Sequence, residues 1–179
     1  MKNIALLTLI LSSIAFAQSG AASEPRVKTG IDVWIEKDFA PLTGKRVGLI
    51  TNPTGITYDL QSTIDVLHKS SKIKLVAIFG PEHGARGDVF AGKDVGNTKD
   101  AKTGLPVLSL YGKNHKPTPE MLKGIDALVY DLQDNGCRSY TYISTMGNTM
   151  EAAAEAGIEY VVLDRPNPLG GNKLEGRIH

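Results

Sequence analysis

The chain has 179 residues, 41% of them hydrophobic, with 20 Lys and Arg against 19 Asp and Glu and a formal net charge of +1. So even a balance offers no electrostatic attraction to nucleic acid or to an anionic membrane surface. Cys137 is the single cysteine, which excludes an internal disulfide, and its thiol is expected to be a buried spectator rather than a nucleophile.

The chain starts with Lys2, an apolar stretch from Ile4 to Phe16 and the small-x-small triplet Ala15-Phe16-Ala17. That order marks a cleavable secretory leader, and the apolar run is too short to span a bilayer. Residues 1–17 are therefore expected to be a signal peptide, directing export to the periplasm or the exterior. No cysteine lies near the cleavage site, so no lipid anchor is expected. Residues 18–29 read as a flexible lead-in.

Ile31, Trp34, Ile35 and Phe39 fall on one helical face. Val47–Ile50 is a short, continuous apolar run that reads as a strand buried on both faces. Asp59 is placed to cap a helix carrying Ile64, Leu67 and His68 inward. A second strand, Leu75–Phe79, ends at Gly80. Residues 84–104 hold five glycines and alternate Asp with Lys, which predicts a long, functional loop. Val107–Leu110 is a further strand, leading into Tyr111. Thr118 caps a helix with Pro119 at its first position. Ala127–Tyr130 is the next strand. The helix of 142–156 follows, with Ile143, Met146, Met150 and Ala153 on one face and Gly157 as its stop. Ile158–Leu163 is the last strand.

Strands alternating with helices predict an α/β fold with a mostly parallel sheet of about five strands, over residues 30–168. Four strands run directly into polar turns, and parallel strands bring those turns to one edge, where open α/β sheets bind ligands. Asn52, Glu82, His83, Asp131, Asp134, Asp164 and Arg165 should meet there. Residues 169–179 read as the start of a further segment, so the chain is expected to be a fragment.

Glu82 and His83 lie in Phe79-Gly80-Pro81-Glu82-His83-Gly84, where the glycines permit a tight turn and Pro81 fixes one φ angle. A Glu on such a turn in a dry cleft can serve as a general acid; the bland alternative is an ion pair with Arg86. Asp131 and Asp134 are three apart, and either can supply a second carboxylate for acid/base work or oxocarbenium stabilisation. Alternatively, one caps the helix near Tyr142 and the other is solvated. Arg138, Tyr140 and Tyr142 suit a carboxylate and a sugar face, although core packing is expected for one of the tyrosines. Asp164, Arg165 and Asn167 sit between prolines at another strand end, either on substrate or as a structural pair. Thr51-Asn52-Pro53-Thr54-Gly55 is a further rigid turn able to hydrogen-bond ligand hydroxyls.

Neither G-x-G-x-x-G nor G-x-x-x-x-G-K-[ST] occurs, so no nucleotide cofactor is expected. There is no G-x-S-x-G elbow for a serine hydrolase. His83, Asp88, Asp131 and Asp164 lack the spacing of a metal site.

The four turns, taken in order, resemble a known family. Val47-Gly48-Leu49-Ile50-Thr51-Asn52-Pro53-Thr54-Gly55, the Phe79–Gly84 turn, Tyr140-Thr141-Tyr142-Ile143-Ser144-Thr145-Met146 and Leu163-Asp164-Arg165-Pro166-Asn167-Pro168 are similar to the bacterial exo-β-N-acetylmuramidases. The resemblance implies a Rossmann-like three-layer sandwich without a nucleotide cofactor, acting on peptidoglycan-derived muramyl saccharides. It also implies a smaller C-terminal domain, outside this chain, that completes the active-site cleft. Glu82 would then act as general acid, with Asp131 or Asp134 as second carboxylate. Asn52, His83, Arg86, Arg138, Tyr140, Tyr142, Asp164, Arg165 and Asn167 would surround the sugar, an arginine pairing with the lactyl carboxylate. Two rival readings are a non-catalytic exported sugar-binding module and a metal-dependent hydrolase.

Overall fold

A computed structural model of the chain describes residues 27–87, 97–173 and 175–176. The expected leader, most of the lead-in, residues 88–96 of the expected loop and the last three residues lie outside the described residues.

Among the described residues, six strands form one sheet. They are β1 (Arg46–Thr51), β2 (Lys74–Gly80), β3 (Thr98–Lys99), β4 (Pro106–Ser109), β5 (Ala127–Asp131) and β6 (Glu159–Val162), in the spatial order β3-β4-β2-β1-β5-β6. Every neighbouring pair is parallel except β3 with β4. The chain winds outward from β1 through β2 to β4, then returns to the far side of β1 to lay down β5 and β6. That reversal creates a topological switch point between the C-terminal ends of β1 and β5, the usual ligand-binding place in a doubly wound sheet.

Helices cover both faces. Successive strand residues point to opposite sides of a pleated sheet. Val47, Leu49, Ala127 and Val129 therefore pack with Ile31 and Trp34 of α1 (Gly30–Glu36) and with Ile64 and Leu67 of α2 (Thr63–Lys69). Ile50, Leu128 and Tyr130 face the other way, toward Leu122 of α3 (Pro119–Leu122) and toward Ala152 and Ala153 of α4 (Tyr142–Ala156). This double burial explains why the strands read as unbroken apolar runs, and it gives the three-layer α/β sandwich. Among the described residues no helix is long and apolar enough to cross a membrane.

The residues of α4 are those expected, and Gly157 ends it in the left-handed conformation at φ 65°. Thr118 and Pro119 open α3 as expected, with the Thr118 hydroxyl accepting from the Met121 amide. Four readings are corrected. The short β3 inside the expected long loop pairs with β4. Ser62, not Asp59, precedes α2, and His68 is exposed, because the seven-residue helix turns only Thr63, Ile64 and Leu67 inward. The buried face of α4 is Thr145, Thr149, Ala152 and Ala153, while Ile143 and Met150 are exposed. Its threonines tolerate burial because the Thr149 hydroxyl donates to the Thr145 carbonyl at 2.8 Å and shares a hydrogen bond with the Tyr160 hydroxyl at 2.7 Å. Lastly, Cys137 is exposed, because it sits in the turn after β5 rather than in the core.

Candidate active site

The loops after β1, β5 and β6 are sewn together at the switch point. The Asn52 side chain, almost fully buried, accepts from the amide of Thr54 at 2.9 Å and from its hydroxyl at 2.5 Å. The Thr54 oxygen in turn accepts from the Gln133 amide at 2.9 Å. Gln133 then donates its carboxamide to the Asp134 carbonyl at 2.7 Å and the Pro166 carbonyl at 3.0 Å. Asn52 is thus committed to its own turn, an Asx arrangement that leaves its acceptor already used. Gly55 allows this closeness: a Cβ there would stand 2.0 Å from the Thr51 hydroxyl oxygen and 3.1 Å from the Asp131 carbonyl oxygen.

Asp131 is the floor of this arrangement, not its surface. Its side chain is fully buried, with Arg165 Nε 2.6 Å from Oδ1 and the Thr63 hydroxyl donating to Oδ2 at 2.6 Å. Arg165 spends a second N–H on the Ile56 carbonyl at 2.8 Å. Burial pushes the Asp131 pKa up, while Arg165 and Thr63 oppose that shift. The structure thus places Asp131 and Arg165 together as a buried pair, with both carboxylate oxygens of Asp131 occupied inside the fold. Asp164 is exposed; its carboxylate accepts the Arg165 amide at 2.9 Å and its carbonyl accepts the Gly30 amide at 2.7 Å.

Asp134 lies three residues further out, half-buried, with Oδ1 accepting the Gly136 amide at 2.7 Å. Neither aspartate caps α4. Asn167 sits against the same loop: a Cβ on Gly136 would fall 2.4 Å from its Oδ1, which also accepts the Leu169 amide at 3.0 Å. Arg138 and Tyr140 are exposed at the surface of this loop, whereas Tyr142 is half-buried against the α3–α4 core. Tyr142 is therefore the tyrosine given to packing, and its carbonyl accepts the Tyr130 hydroxyl at 2.9 Å.

The turn after β2 holds Glu82 and His83. Pro81 is buried, Glu82 half-buried and His83 exposed. Gly80 must be glycine, because a Cβ would lie 2.9 Å from the Ala85 amide nitrogen. His83 has φ 73°, a left-handed conformation that costs a non-glycine residue roughly 1–3 kcal/mol and concentrates at functional sites. Glu82 does not pair with Arg86. It lies against the Tyr111 hydroxyl, whose pKa it raises by hydrogen bonding and by charge. The Tyr111 ring meets the His115 ring edge-on, with centroids 6.3 Å apart. Arg86 is turned to Asp100 and Asp65 instead.

Tyr111, His115, Thr63 and Gln133 were not among the candidate site residues expected from sequence, and Thr54 was expected only as part of a turn offering hydrogen bonds to ligand hydroxyls. Tyr111 follows β4 directly, so the rule that picked the other strand-end turns points to it as well. Partners such as Thr63, distant in sequence, carry no local signal. Among the described residues no three His, Cys, Asp or Glu side chains gather as a metal-binding group. A cleft of ≈ 470 Å³ lies between α1 and β6, lined by Val33, Trp34, Lys37, Val161, Asp164 and Arg165, so it touches the turn after β6 but reaches neither Glu82 nor Asp134.

Residues 47–179 match the family model described as exo-beta-N-acetylmuramidase NamZ, N-terminal. The chain is 56% identical over 162 residues to the peptidoglycan beta-N-acetylmuramidase NamZ of Bacillus subtilis (strain 168), covering 90% of this chain and 39% of that protein. Two crystal structures of DUF1343 family proteins from Bacteroides fragilis NCTC 9343 are also similar. One is 63% identical with a TM-score of 0.78, covering 86% of this chain and 39% of that one. The other is 38% identical with a TM-score of 0.67, covering 80% and 36%. The chain thus spans about two-fifths of the length of these relatives.

Proposed function

The chain belongs to the exo-β-N-acetylmuramidase family through its N-terminal part, and we propose that it supplies the acid-bearing half of an enzyme that removes terminal β-linked N-acetylmuramic acid from peptidoglycan fragments. The observation that carries this reading is Glu82, half-buried on a turn locked by Gly80 and Pro81 at the ligand-binding edge of a doubly wound sheet.

Glu82 protonates the leaving glycosidic oxygen as the bond breaks. Asp134 serves as the second carboxylate, stabilising the oxocarbenium-like transition state or activating water. Arg138, exposed on the same loop, pairs two-pronged with the lactyl carboxylate that distinguishes muramic acid. His83, Tyr140 and Asn167 contact the ring substituents. The residues that the relatives carry beyond this stretch form the opposite wall of the cleft. The leader of residues 1–17 exports the enzyme to the compartment where peptidoglycan is turned over.

The test is release of N-acetylmuramic acid from a chromogenic β-muramide, comparing this chain with a version extended to the relatives' full length. The extended form is expected to be active and its Glu82→Gln variant to lose about 10²–10⁴-fold in kcat. Full activity in Glu82→Gln would remove Glu82 from its role, and sugar binding without turnover would replace the enzyme with a binding module.

A further inference from the structure

We propose that Arg86 is a positioning residue: clamped by Asp100 and Asp65, it fixes the turn that presents Glu82 and His83, and it does not touch substrate. The inference rests on the glycosidase reading above.

The turn has reason to need a clamp. It leaves β2 at Gly80, passes through left-handed geometry at His83 and Gly84, and returns to it at Gly87. The glycines adopt that region freely, but His83 persists in it only where the surroundings enforce it. Two anchors sit just downstream. Ala85 is buried in the core on the α1–α2 side of the sheet, and Arg86 is tied by its guanidinium to two other parts of the chain.

The tie is made of several hydrogen bonds. Arg86 engages Asp100 with two nitrogens, Nε on Oδ1 at 2.5 Å and Nη2 on Oδ2 at 3.0 Å. That two-pronged geometry is the stronger form of an arginine–carboxylate pair. The same Nη2 donates to Asp65 Oδ1 at 2.9 Å, reaching α2. Asp100 is itself immobilised: its side chain is 4% exposed, and Oδ2 accepts the Thr103 amide at 2.9 Å and hydroxyl at 2.7 Å. Lys102 closes on the other oxygen of Asp65. The Arg86 hydrogen bond holds the Asp100 carboxyl well below its ordinary range. Burial pushes Asp65 up, but Lys102 and Arg86 together bring it below its ordinary value. Arg86 therefore joins the β2 turn, the start of the second helix and the loop before β4 into one body.

The reading separates Arg86 from a substrate contact by what each would change. Displacing an acid by about 1 Å can cost about 10²-fold in rate while leaving ground-state binding nearly intact. Kinetics on the chromogenic β-muramide, using the full-length protein and its Arg86→Lys and Arg86→Ala variants, should give a kcat at least ~10-fold lower, with KM within ~2-fold. Added guanidinium should restore part of the kcat of Arg86→Ala. A rise in KM with kcat intact would put Arg86 on the substrate and overturn the proposal. So would a lower melting temperature with both constants unchanged. If Arg86→Ala does not fold, Thr103→Val and Asp65→Asn loosen the clamp more gently and should lower kcat in the same sense; unchanged kcat in both refutes it. If the wild type releases no N-acetylmuramic acid, the glycosidase reading fails by itself. The clamp is then judged by the NMR resonance of the His83 ring, which should shift in Arg86→Lys; an unmoved resonance overturns it.

Discussion

Arg165 and Asp131 meet inside the protein, 34 residues apart in sequence, with Nε 2.6 Å from Oδ1 and side-chain exposures of 7% and 0%. Asp134, three residues beyond Asp131, is only half-buried. Burial alone thus sets apart two aspartates on one short stretch.

Asp131→Asn should lower stability and leave the folded enzyme's chemistry in place. Breaking one side of a buried ion pair typically costs about 3–5 kcal/mol, because the remaining charge loses its partner. Urea denaturation should record that loss. Asp134→Asn should show the converse, an unchanged urea midpoint and a kcat reduced by about 10²-fold or more. A variant of Asp134 that keeps full kcat would return the search for the second carboxylate to other residues.

Acid should loosen the clamp on the β2 turn. Asp100 and Asp65 both have lowered pKa values in the folded protein, so the unfolded chain binds protons more tightly in acid. The stability they contribute is fully present above about pH 4 and is lost as pH falls through the lower folded values. Urea midpoints from about pH 6 down to about pH 3 should fall more steeply for the wild type than for Asp100→Asn. Parallel curves would mean that the cluster has no part in acid denaturation.

Two glycines should respond oppositely to alanine. At Gly55 the new Cβ would lie 2.0 Å from the Thr51 hydroxyl oxygen, with the Asp131 and Asn52 carbonyl oxygens also crowding it. Overpacking of this kind costs about 1–3 kcal/mol. At Gly147, inside α4, nothing stands within 4 Å of the new Cβ. Alanine there should stabilise by about 0.8–1 kcal/mol through helix propensity. Thermal melts of the two variants should move in opposite directions.

Cys137 should react as an accessible thiol. Its exposure predicts that a colourless aromatic disulfide reagent titrates one equivalent in the native protein, without denaturant. A thiol released only on unfolding would contradict its placement in the turn after β5.

The architecture was legible because burial on both faces writes each strand as a continuous apolar run. Gly157 and Thr118 mark helix ends through local backbone chemistry that needs no distant partner. The buried face of α4 was not legible. Thr145 and Thr149 count as polar in a periodicity, yet their hydroxyls are satisfied by the helix backbone one turn back. The candidate site was legible as a set of turns at one sheet edge, but not as a division of labour within it. Whether Asp131 faces outward depends on Arg165 and Thr63. Whether Arg86 meets Glu82 depends on Asp65 and Asp100. Those partners lie between 14 and 68 residues away, and nothing local to either residue announces them.

One outcome of the winding order concerns handling more than catalysis. Among the described residues, β6 closes one side of the sheet with a neighbour on β5 alone, and Val162 at its end is 44% exposed. A bare strand flank of this kind is a template for another copy of the same chain. Concentrated solutions of this stretch by itself should therefore drift toward strand-paired aggregates, and a lysine at position 162 is the smallest change that would keep it dispersed.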